Sequence, residues 1–385
     1  MNDVTYSQLD IRYMQQALDL AAKGRFSTKP NPAVGCVLVK GDKVVGAGWH
    51  QQAGLPHAER EAIAQAGAQA AGATAYVTLE PCSHFGRTPP CADGLIESGV
   101  KRVFIAMRDP NPLVSGDGVR KLEAAGIETV VGLLEEDARA LNQGFIRKME
   151  NKLPFVRLKM ASSIDGRTAM ANGDSQWITG ESARKEVHRM RAQCGALVTG
   201  IGTVLADDPS LTVRLPEDEL AEMNVTAESC QPIRVVLDPF LSMPLDAKMV
   251  GLPGRTVIMT TKEAVESSSE LVDQFYEKQV DLVAVASEND RLDIESVLHY
   301  LSEEEQVNDV MVESGAIVAG AFIESGYVNE VHSFMAPCLL GDKAKPMFVL
   351  PSVESMADKV QLKVQSVDHF GDDIRVVLKP EVVKS

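Results

Sequence analysis

The sequence has no long apolar run and few cysteines. Its apolar stretches, such as residues 196–198 and 310–312, fall far short of the roughly 18 residues that suggest a membrane-spanning helix. Residues 1–10 are polar and lack the basic region and apolar stretch of a signal peptide. Six cysteines in 385 residues are too sparse for a disulfide framework, so close pairs are interpreted as metal ligands or catalytic groups. We therefore expect a cytoplasmic protein without a membrane partner.

Basic residues are also scarce relative to acidic ones. Lys and Arg number 38 against 54 Asp and Glu, which gives a net charge of -16. Nucleic-acid binding normally depends on clustered Lys and Arg, so we expect a small-molecule substrate, with room for a local basic pocket. The hydrophobic fraction of 45% is typical of globular proteins, and the length exceeds what one core usually serves. The composition predicts two folded domains.

Strand and helix patterns alternate along the chain, which is typical of α/β architecture. Gly41-Asp42 predicts a hairpin between strands at 34–39 and 43–46, and residues 57–70 favour a helix. A polar stretch at 142–153 precedes Pro154 and a new apolar strand. This change in pattern places the domain boundary there, with one domain at 1–150 and a second at 151–385.

The first domain carries a sequence motif for a catalytic zinc site. The signature H-x-E followed by P-C-x-x-C supplies three zinc ligands and a glutamate that moves protons without binding metal. His57 and Glu59 match the first part and Cys82 the second, but Cys91 follows after eight residues instead of two. Either half alone is commonly structural, whereas their order predicts a zinc site with His57, Cys82 and Cys91 as ligands and Glu59 as catalytic residue. His84 is a competing ligand, with substrate contact or packing as its favoured role.

The second domain contains two turns that suit phosphate binding. Gly200 and Gly202 lie between a strand and a helical run, but a third fingerprint glycine is missing, so turn glycines are the favoured interpretation. Glu313 and Gly315 follow another strand and open a second helix, whose free N–H groups suit a pyrophosphate. From these patterns alone, Glu313 is equally a helix N-terminal charge or a substrate ligand.

These segments resemble the bifunctional deaminase/reductases of riboflavin biosynthesis, over nearly the whole chain. The long spacing between Cys82 and Cys91 is this family's own pattern. The resemblance implies an α/β protein with an N-terminal cytidine-deaminase-like three-layer domain and a C-terminal dihydrofolate-reductase-like domain. The matching motifs are Pro30-Asn31-Pro32-Ala33-Val34-Gly35, His57-Ala58-Glu59, the segment 81–91, Asp165-Gly166-Arg167, Ser175-Gln176-Trp177, Asp207-Asp208-Pro209 and Glu313-Ser314-Gly315.

The resemblance implies two reactions and two cofactors. A zinc-dependent deaminase converts 2,5-diamino-6-(5-phosphoribosylamino)pyrimidin-4(3H)-one to 5-amino-6-(5-phosphoribosylamino)uracil, and an NADPH-dependent reductase then reduces the ribosyl group to ribityl. One Zn2+ per deaminase domain, NADPH and a homo-oligomeric assembly are expected. The competing interpretations are a tRNA or nucleotide deaminase, which the charge and cysteine spacing disfavour, and a non-catalytic zinc-stabilised binding protein, which would not need Glu59.

The resemblance also implies residue roles. It implies that Asn31 holds the pyrimidine edge. Our own hypothesis is that Arg87 contacts the substrate phosphate or ring, because guanidinium suits bidentate phosphate recognition. Independently of the resemblance, Lys159 on the first strand of the second domain is a candidate for assisting ring opening or proton delivery, although a solvated strand lysine is the favoured alternative. In the second domain, the implied substrate residues are Ser175, Arg191, Leu211, Arg214 and Glu313, and the implied cofactor residues are Ala161, Trp177, Thr203, Asp207, Gly315, Ala316, Ile317, Val318, Ala319, Gly320 and Ala321.

Overall fold

The computed structural model, which describes residues 6–84, 89–112 and 115–384, divides the chain into two compact units. The first unit comprises Met1–Asn151 with Asp218–Val225, and the second comprises Lys152–Glu217 with Thr226–Ser385. Within the described ranges, no helix combines the length and apolar character needed to cross a membrane.

The first unit begins with an amphipathic helix whose start is encoded locally. The Ser7 side chain accepts a hydrogen bond from the Asp10 backbone, and the Asp10 carboxylate accepts one from the Ser7 backbone, which forms a capping box. The helices are α1 (Gln8–Ala22), α2 (Ala58–Ala66), α3 (Cys91–Glu97), α4 (Asp117–Ala124), α5 (Glu135–Leu141) and α6 (Gln143–Asn151); the strands are β1 (Gly35–Lys40), β2 (Lys43–Trp49), β3 (Thr74–Val77), β4 (Arg102–Ile105) and β5 (Glu128–Val131).

The five strands form one sheet in the order β2-β1-β3-β4-β5, with helices on both faces. β1 pairs antiparallel with β2 and β3, whereas β3, β4 and β5 run parallel. Leu38 and Val77 face a core that includes side chains of α2, α3 and α4. Val37 and Tyr76 face a second core with α1, α5 and α6. The result is the expected three-layer α/β/α domain, and the predicted hairpin at Gly41-Asp42 is confirmed.

Two glycines on β2 bring α2 unusually close to the sheet. A Cβ atom at Gly46 would lie 2.1 Å from the Ala62 carbonyl oxygen, and one at Gly48 would lie 2.5 Å from the Glu61 Cβ. Any larger residue would therefore push the helix away from the strand. The helix was predicted over 57–70, but α2 ends at Ala66 and continues as a 3-10 turn, Gly67–Ala70.

The second unit is larger and is built around a nine-stranded sheet. Its helices are α7 (Glu181–Gln193), α8 (Ile201–Asp207), α10 (Lys262–Ser267), α11 (Ser269–Glu277), α12 (Ile294–Glu303) and α13 (Ala316–Ser325), whereas α9 (Glu217–Glu222) belongs from Asp218 onwards to the first unit; its strands are β6 (Phe155–Ser163), β7 (Arg167–Ala169), β8 (Ala196–Gly200), β9 (Ile233–Leu237), β10 (Thr256–Thr260), β11 (Val280–Ala284), β12 (Ser287–Glu288), β13 (Arg291–Leu292), β14 (Asp309–Val312), β15 (Glu330–Ala336), β16 (Lys345–Pro346), β17 (Leu362–Phe370) and β18 (Asp373–Pro380). β17 and β18 form an antiparallel hairpin near the end of the chain.

The order of the large sheet is β11-β10-β9-β8-β14-β6-β15-β18-β17. The first seven strands in this order, from β11 at the edge through β15, run parallel to one another. β18 pairs antiparallel with both β15 and β17. Hydrophobic cores cover both faces. This architecture places the ends of β6, β8 and β14 side by side, where polar side chains follow the apolar strands.

Candidate active sites

Three side chains converge on a metal-sized space in the first unit. His57 precedes α2, Cys82 follows β3, and Cys91 is the first residue of α3. The His57 Nδ1 atom lies 3.3 Å from the Cys91 Sγ and 3.7 Å from the Cys82 Sγ. A tetrahedral zinc with usual bond lengths separates such nitrogen and sulfur ligands by roughly 3.6 Å. The three predicted ligands therefore fit a zinc ion with a fourth position left for water or substrate.

The Cys82 sulfur is held in the form that binds metal. The pKa of Cys82 is lowered by hydrogen bonds from the Cys91 thiol and from His57, and the backbone N–H of Cys91 also donates to this sulfur at 3.2 Å. A thiolate is the species that coordinates zinc. The local electrostatics thus favour the ligand state of Cys82.

Glu59 lies in the first turn of α2, two residues beyond His57, and is 3% exposed. Burial raises the pKa of Glu59, and the negative charge of Cys82 adds to the effect. Within the described ranges, the cluster of possible metal ligands contains His57, Cys82 and Cys91. Glu59 is therefore placed beside the ligand set as a group that can accept and return a proton.

The loop that carries both cysteines is braced at its ends by two residues that the sequence motifs did not reveal. The buried Glu80 carboxylate accepts hydrogen bonds from the backbone N–H groups of Asp109, Gly116 and Val119 at 3.0–3.2 Å. The Arg60 guanidinium donates to the Pro90 carbonyl at 2.8 Å. Their adjacency to the zinc motifs was the available signal, since Glu80 precedes Pro81-Cys82 and Arg60 follows Glu59.

The side chain of His50 links Asn31 to His57, and the side chain of Asn142 binds the backbone two residues after Asn31. Asn31 Nδ2 lies 3.0 Å from His50 Nε2, and the ring centroid of His50 lies 5.1 Å from that of His57. The buried Asn142 side chain accepts from the Ala33 N–H at 2.8 Å and donates to the Ala33 carbonyl at 2.9 Å. The sequence analysis identified neither His50 nor Asn142 as part of this site. It used residue 142 only as the start of the polar stretch at the expected domain boundary.

Two residues of the cysteine loop have different outcomes. His84 is exposed and does not belong to the ligand cluster found among the described residues. Arg87 lies outside the described residues, so its contact with substrate stays a prediction.

The second unit contains a buried ion network at the end of β14. Glu313 accepts from Arg191 Nε at 2.6 Å and from Arg191 Nη2 at 2.9 Å, and Lys159 Nζ lies 3.6 Å from the same carboxylate. Burial opposes the charge of Glu313, but Arg191 and then Lys159 outweigh it and lower its pKa to about 2. Burial lowers the pKa of Lys159. The favoured expectation that Lys159 is solvated was wrong, because its position on β6 places it against Glu313.

Arg214 lies in the same polar cluster. Arg191 Nη1 donates to the Thr212 carbonyl at 3.0 Å, and Arg214 Nη1 donates to the Thr212 hydroxyl at 2.9 Å. The Arg214 backbone N–H donates to His188 Nδ1 at 3.2 Å. Burial lowers the pKa of His188 to about 4, and Arg191 and Arg214 add to the effect. Leu211, next to this cluster, is buried with φ 47.

Two of the predicted cofactor residues, Thr203 and Gly315, meet where α8 and α13 begin. The Thr203 hydroxyl of α8 accepts from the Gly315 N–H at 3.1 Å, directly before α13. Residues 316–321 form the first part of α13, where Ile317 is exposed and Ala319 is buried in the core. Within the described ranges, no hydrogen bond or ion pair joins Thr203 or Gly315 to Ser175, Trp177 or Asp207. Ala161 lies on β6.

Trp177 is 69% exposed, and the Arg184 guanidinium lies 4.6 Å from its ring centroid. Its peptide bond with Gln176 is cis. The exposed ring leaves an aromatic face at the start of α7.

The fold and the two sites together define a zinc-dependent deaminase joined to a reductase. Residues 7–107 match the family model for the cytidine and deoxycytidylate deaminase zinc-binding region, and residues 154–376 match that for the RibD C-terminal domain. The chain belongs to the RibD family of bifunctional deaminase/reductases of riboflavin biosynthesis, which use zinc and NADPH.

Relatives match over almost the full length. The chain is 45% identical to the riboflavin biosynthesis protein RibD of Escherichia coli over 367 residues, which cover 95% of this chain and 98% of that protein. It is 40% identical to the Aquifex aeolicus protein, with coverage of 97% and 99%. The solved Acinetobacter baumannii RibD structure, form 1, has a TM-score of 0.88 at 46% identity and covers 97% of this chain and 99% of that chain.

Proposed function

We propose that residues 1–150 deaminate the phosphoribosylated diaminopyrimidinone and that residues 151–385 reduce its ribosyl group. The convergence of His57, Cys82 and Cys91 beside buried Glu59 carries the first half of this proposal. The buried network around Glu313, next to the paired starts of α8 and α13, carries the second.

In the deaminase unit, His57, Cys82 and Cys91 hold the zinc ion. Zinc bound there supplies the Lewis acidity that makes water nucleophilic at neutral pH. Glu59 takes a proton from the attacking water and delivers it to the leaving amine, a task suited to a buried carboxyl with a raised pKa. Asn31 holds the edge of the pyrimidine, and Arg87 contacts its phosphate or ring.

The deaminase assignment is tested with Glu59→Gln, which keeps the shape of the side chain and removes its proton transfer. We expect normal zinc content by elemental analysis and loss of ammonia release. Glu61→Gln, on the same helix, is the matched control and retains activity. Retained ammonia release in Glu59→Gln would sink the assignment.

In the reductase unit, Ser175, Arg191, Leu211, Arg214 and Glu313 bind the phosphoribosyl group. Arg191 and Arg214 supply cationic donors for the phosphate, in an acidic protein whose bulk charge disfavours anions. Lys159 lies on the network through Glu313 and delivers a proton as the ribose is reduced.

The region around Thr203 and Gly315 fits a dinucleotide. A Cβ atom at Gly202 would meet nothing within 4 Å, and one at Gly315 would meet only the Thr203 hydroxyl at 3.8 Å. The buried Ser314 Oγ has no hydrogen-bond partner among the described residues. This open backbone next to an unused hydroxyl suits a phosphate. NADPH bound there supplies the hydride, while Ala161, Trp177, Asp207 and the segment Gly315–Ala321 hold it.

The cofactor assignment is tested by titrating the full chain with NADPH and following its fluorescence. Thr203→Val should weaken binding, whereas Thr129→Val in the deaminase unit should not. An unchanged dissociation constant in Thr203→Val contradicts the placement of the cofactor.

The chain is also proposed to act as a homo-oligomer in the cytoplasm. The outer strand β17 exposes Val364 and Val367, apolar surface of the kind that a second copy covers. None of the six cysteines, all of which lie in the described ranges, forms a disulfide bond, as a reducing compartment favours. Sedimentation analysis should give a mass above 41.6 kDa, the mass of one chain.

A further inference from the structure

His50 is a buried side chain of the deaminase unit that the proposed chemistry does not use. It is 3% exposed and directly follows β2. Its ring packs edge-on against that of His57, with 5.1 Å between centroids and 74° between planes. Its two nitrogens lie between the Pro56 carbonyl and the side chain of Asn31.

The partners of His50 fix which nitrogen carries the proton. The Pro56 carbonyl, 3.1 Å from Nδ1, can only accept, so Nδ1 is the protonated nitrogen. Nε2 of the neutral ring then has a lone pair directed at Asn31, 3.0 Å away, and the amide must present its NH2 group to it. A turned amide would require a doubly protonated ring, whose charge is costly at a buried position.

This chain of contacts sets the orientation of the Asn31 amide. One Nδ2–H is donated to His50, so Oδ1 and the second Nδ2–H are left to face a ligand. An acceptor next to a donor complements a lactam edge, in which a ring N–H lies beside a carbonyl. The 4(3H)-pyrimidinone ring of the proposed substrate has such an edge at N3 and C4.

We propose that His50 is a positioning residue that locks the Asn31 amide in the orientation that recognises the lactam edge of the pyrimidine. This inference rests on the proposed role of Asn31. A ring with the reversed pattern, such as a 4-aminopyrimidine with an unprotonated N3, would place acceptor against acceptor and donor against donor. His50 thereby selects between the two classes of ring without touching the substrate.

The contact to Pro56 also links this selection to the metal site. Pro56 directly precedes the zinc ligand His57, so the carbonyl that fixes the His50 tautomer belongs to the segment that positions the metal. The amide orientation and the metal position therefore share one rigid stretch of backbone.

The test uses His50→Phe, His50→Gln and Asn31→Ala in the full zinc-loaded chain. Phe keeps the ring against His57 but removes both hydrogen bonds, whereas Gln offers a donor and an acceptor about as far apart as the two ring nitrogens. We expect kcat/KM for deamination to fall about ten- to hundredfold in His50→Phe and to be partly restored in His50→Gln. Zinc content and reduction of the deaminated intermediate should be unchanged, as they should be in the exposed control His369→Phe.

A double variant separates positioning from a direct role. If His50 acts through Asn31, His50→Phe should add little to the loss already caused by Asn31→Ala. Multiplicative losses, or loss of zinc in His50→Phe and His50→Gln alike, would overturn the inference. A harmless His50→Phe beside a damaging Asn31→Ala would also overturn it while leaving the proposed function intact. A harmless Asn31→Ala would instead remove the proposed role of Asn31, on which the inference rests.

Discussion

The deaminase and reductase sites differ in whether nearby side chains compensate the charge of a buried carboxylate. In the first, Glu59 is buried beside the Cys82 sulfur, and burial together with the negative charge of Cys82 raises the pKa of Glu59. In the second, Glu313 is also largely buried, but Arg191 and Lys159 neutralise its charge. The first site thus depends on an ion from outside the chain, whereas the second is compensated by its own side chains before any ligand arrives.

Removal of the metal should give the largest effect and would separate the two sites. Because the ligand cluster is confined to the first unit, a strong chelator should lower the rate of deamination about a thousandfold or more and leave reduction of the deaminated intermediate unchanged. Both rates are measured before and after zinc is restored. Parallel loss of the two activities would contradict the comparison.

Loss of the Glu313 carboxylate should have the next largest effect. Glu313→Gln leaves Arg191 and Lys159 as buried cations without their counter-charge, which we expect to lower the free energy of unfolding of the reductase unit by about 3–5 kcal/mol. Urea denaturation measures the change. The matched control is Glu266→Gln, which breaks the exposed pair with Lys262 and should cost about 0–1 kcal/mol. Similar costs for both variants would refute internal compensation.

The close approach of α2 to β2 predicts a smaller and more selective effect. An added methyl group in Gly48→Ala would lie 2.6 Å from the Ala58 carbonyl oxygen, and the resulting overpacking should cost about 1–3 kcal/mol. Because α2 carries Glu59 and follows His57, deamination should fall more than reduction. Gly251→Ala, whose Cβ would meet nothing within 4 Å, is the control and should affect neither activity.

The smallest predicted effect is a pH dependence in the reductase unit. The pKa of His188 is about 4 in the folded protein, below its ordinary value of 6.5, with Arg191, Arg214 and Glu313 around it. Between these values the unfolded chain binds the proton more readily, so stability is lost as the pH falls from about 6.5 towards 4. His188→Gln should reduce this loss by about 1 kcal/mol, after allowance for partial exposure. Denaturation curves at both ends of this range, compared with wild type, give the difference; identical slopes would exclude the effect.

The sequence predicted the parts of the protein that depend on local order. The candidate metal ligands and Glu59 follow from residue types at fixed spacing, and the hairpin of β1 and β2 follows from apolar runs on both sides of Gly41-Asp42. β11 gives a weaker signal, because Asp281 interrupts the apolar residues at its start. The polar stretch at 142–153, where the domain boundary was predicted, contains α6.

The contacts between distant residues could not be predicted. Glu80 and Asn142 are polar side chains whose partners are backbone groups, and nothing in a single sequence tells which backbone groups will lie beside them. Lys159 was expected at the surface because a strand lysine gives no sign of a buried carboxylate 154 positions later, at Glu313. The sequence therefore predicted the groups that we propose to react and missed several of the polar residues that surround them.

The hydrogen bonds between Asn142 and the Ala33 backbone determine which parts of the deaminase unit can form first during synthesis. These residues are 109 positions apart, and the N-terminal part of a chain leaves the ribosome first. All three metal ligands, the last being Cys91, emerge well before Asn142 does. A nascent chain can thus gather its zinc ligands early, but the segment that carries Asn31 receives its backbone anchor only when translation of the unit is almost complete.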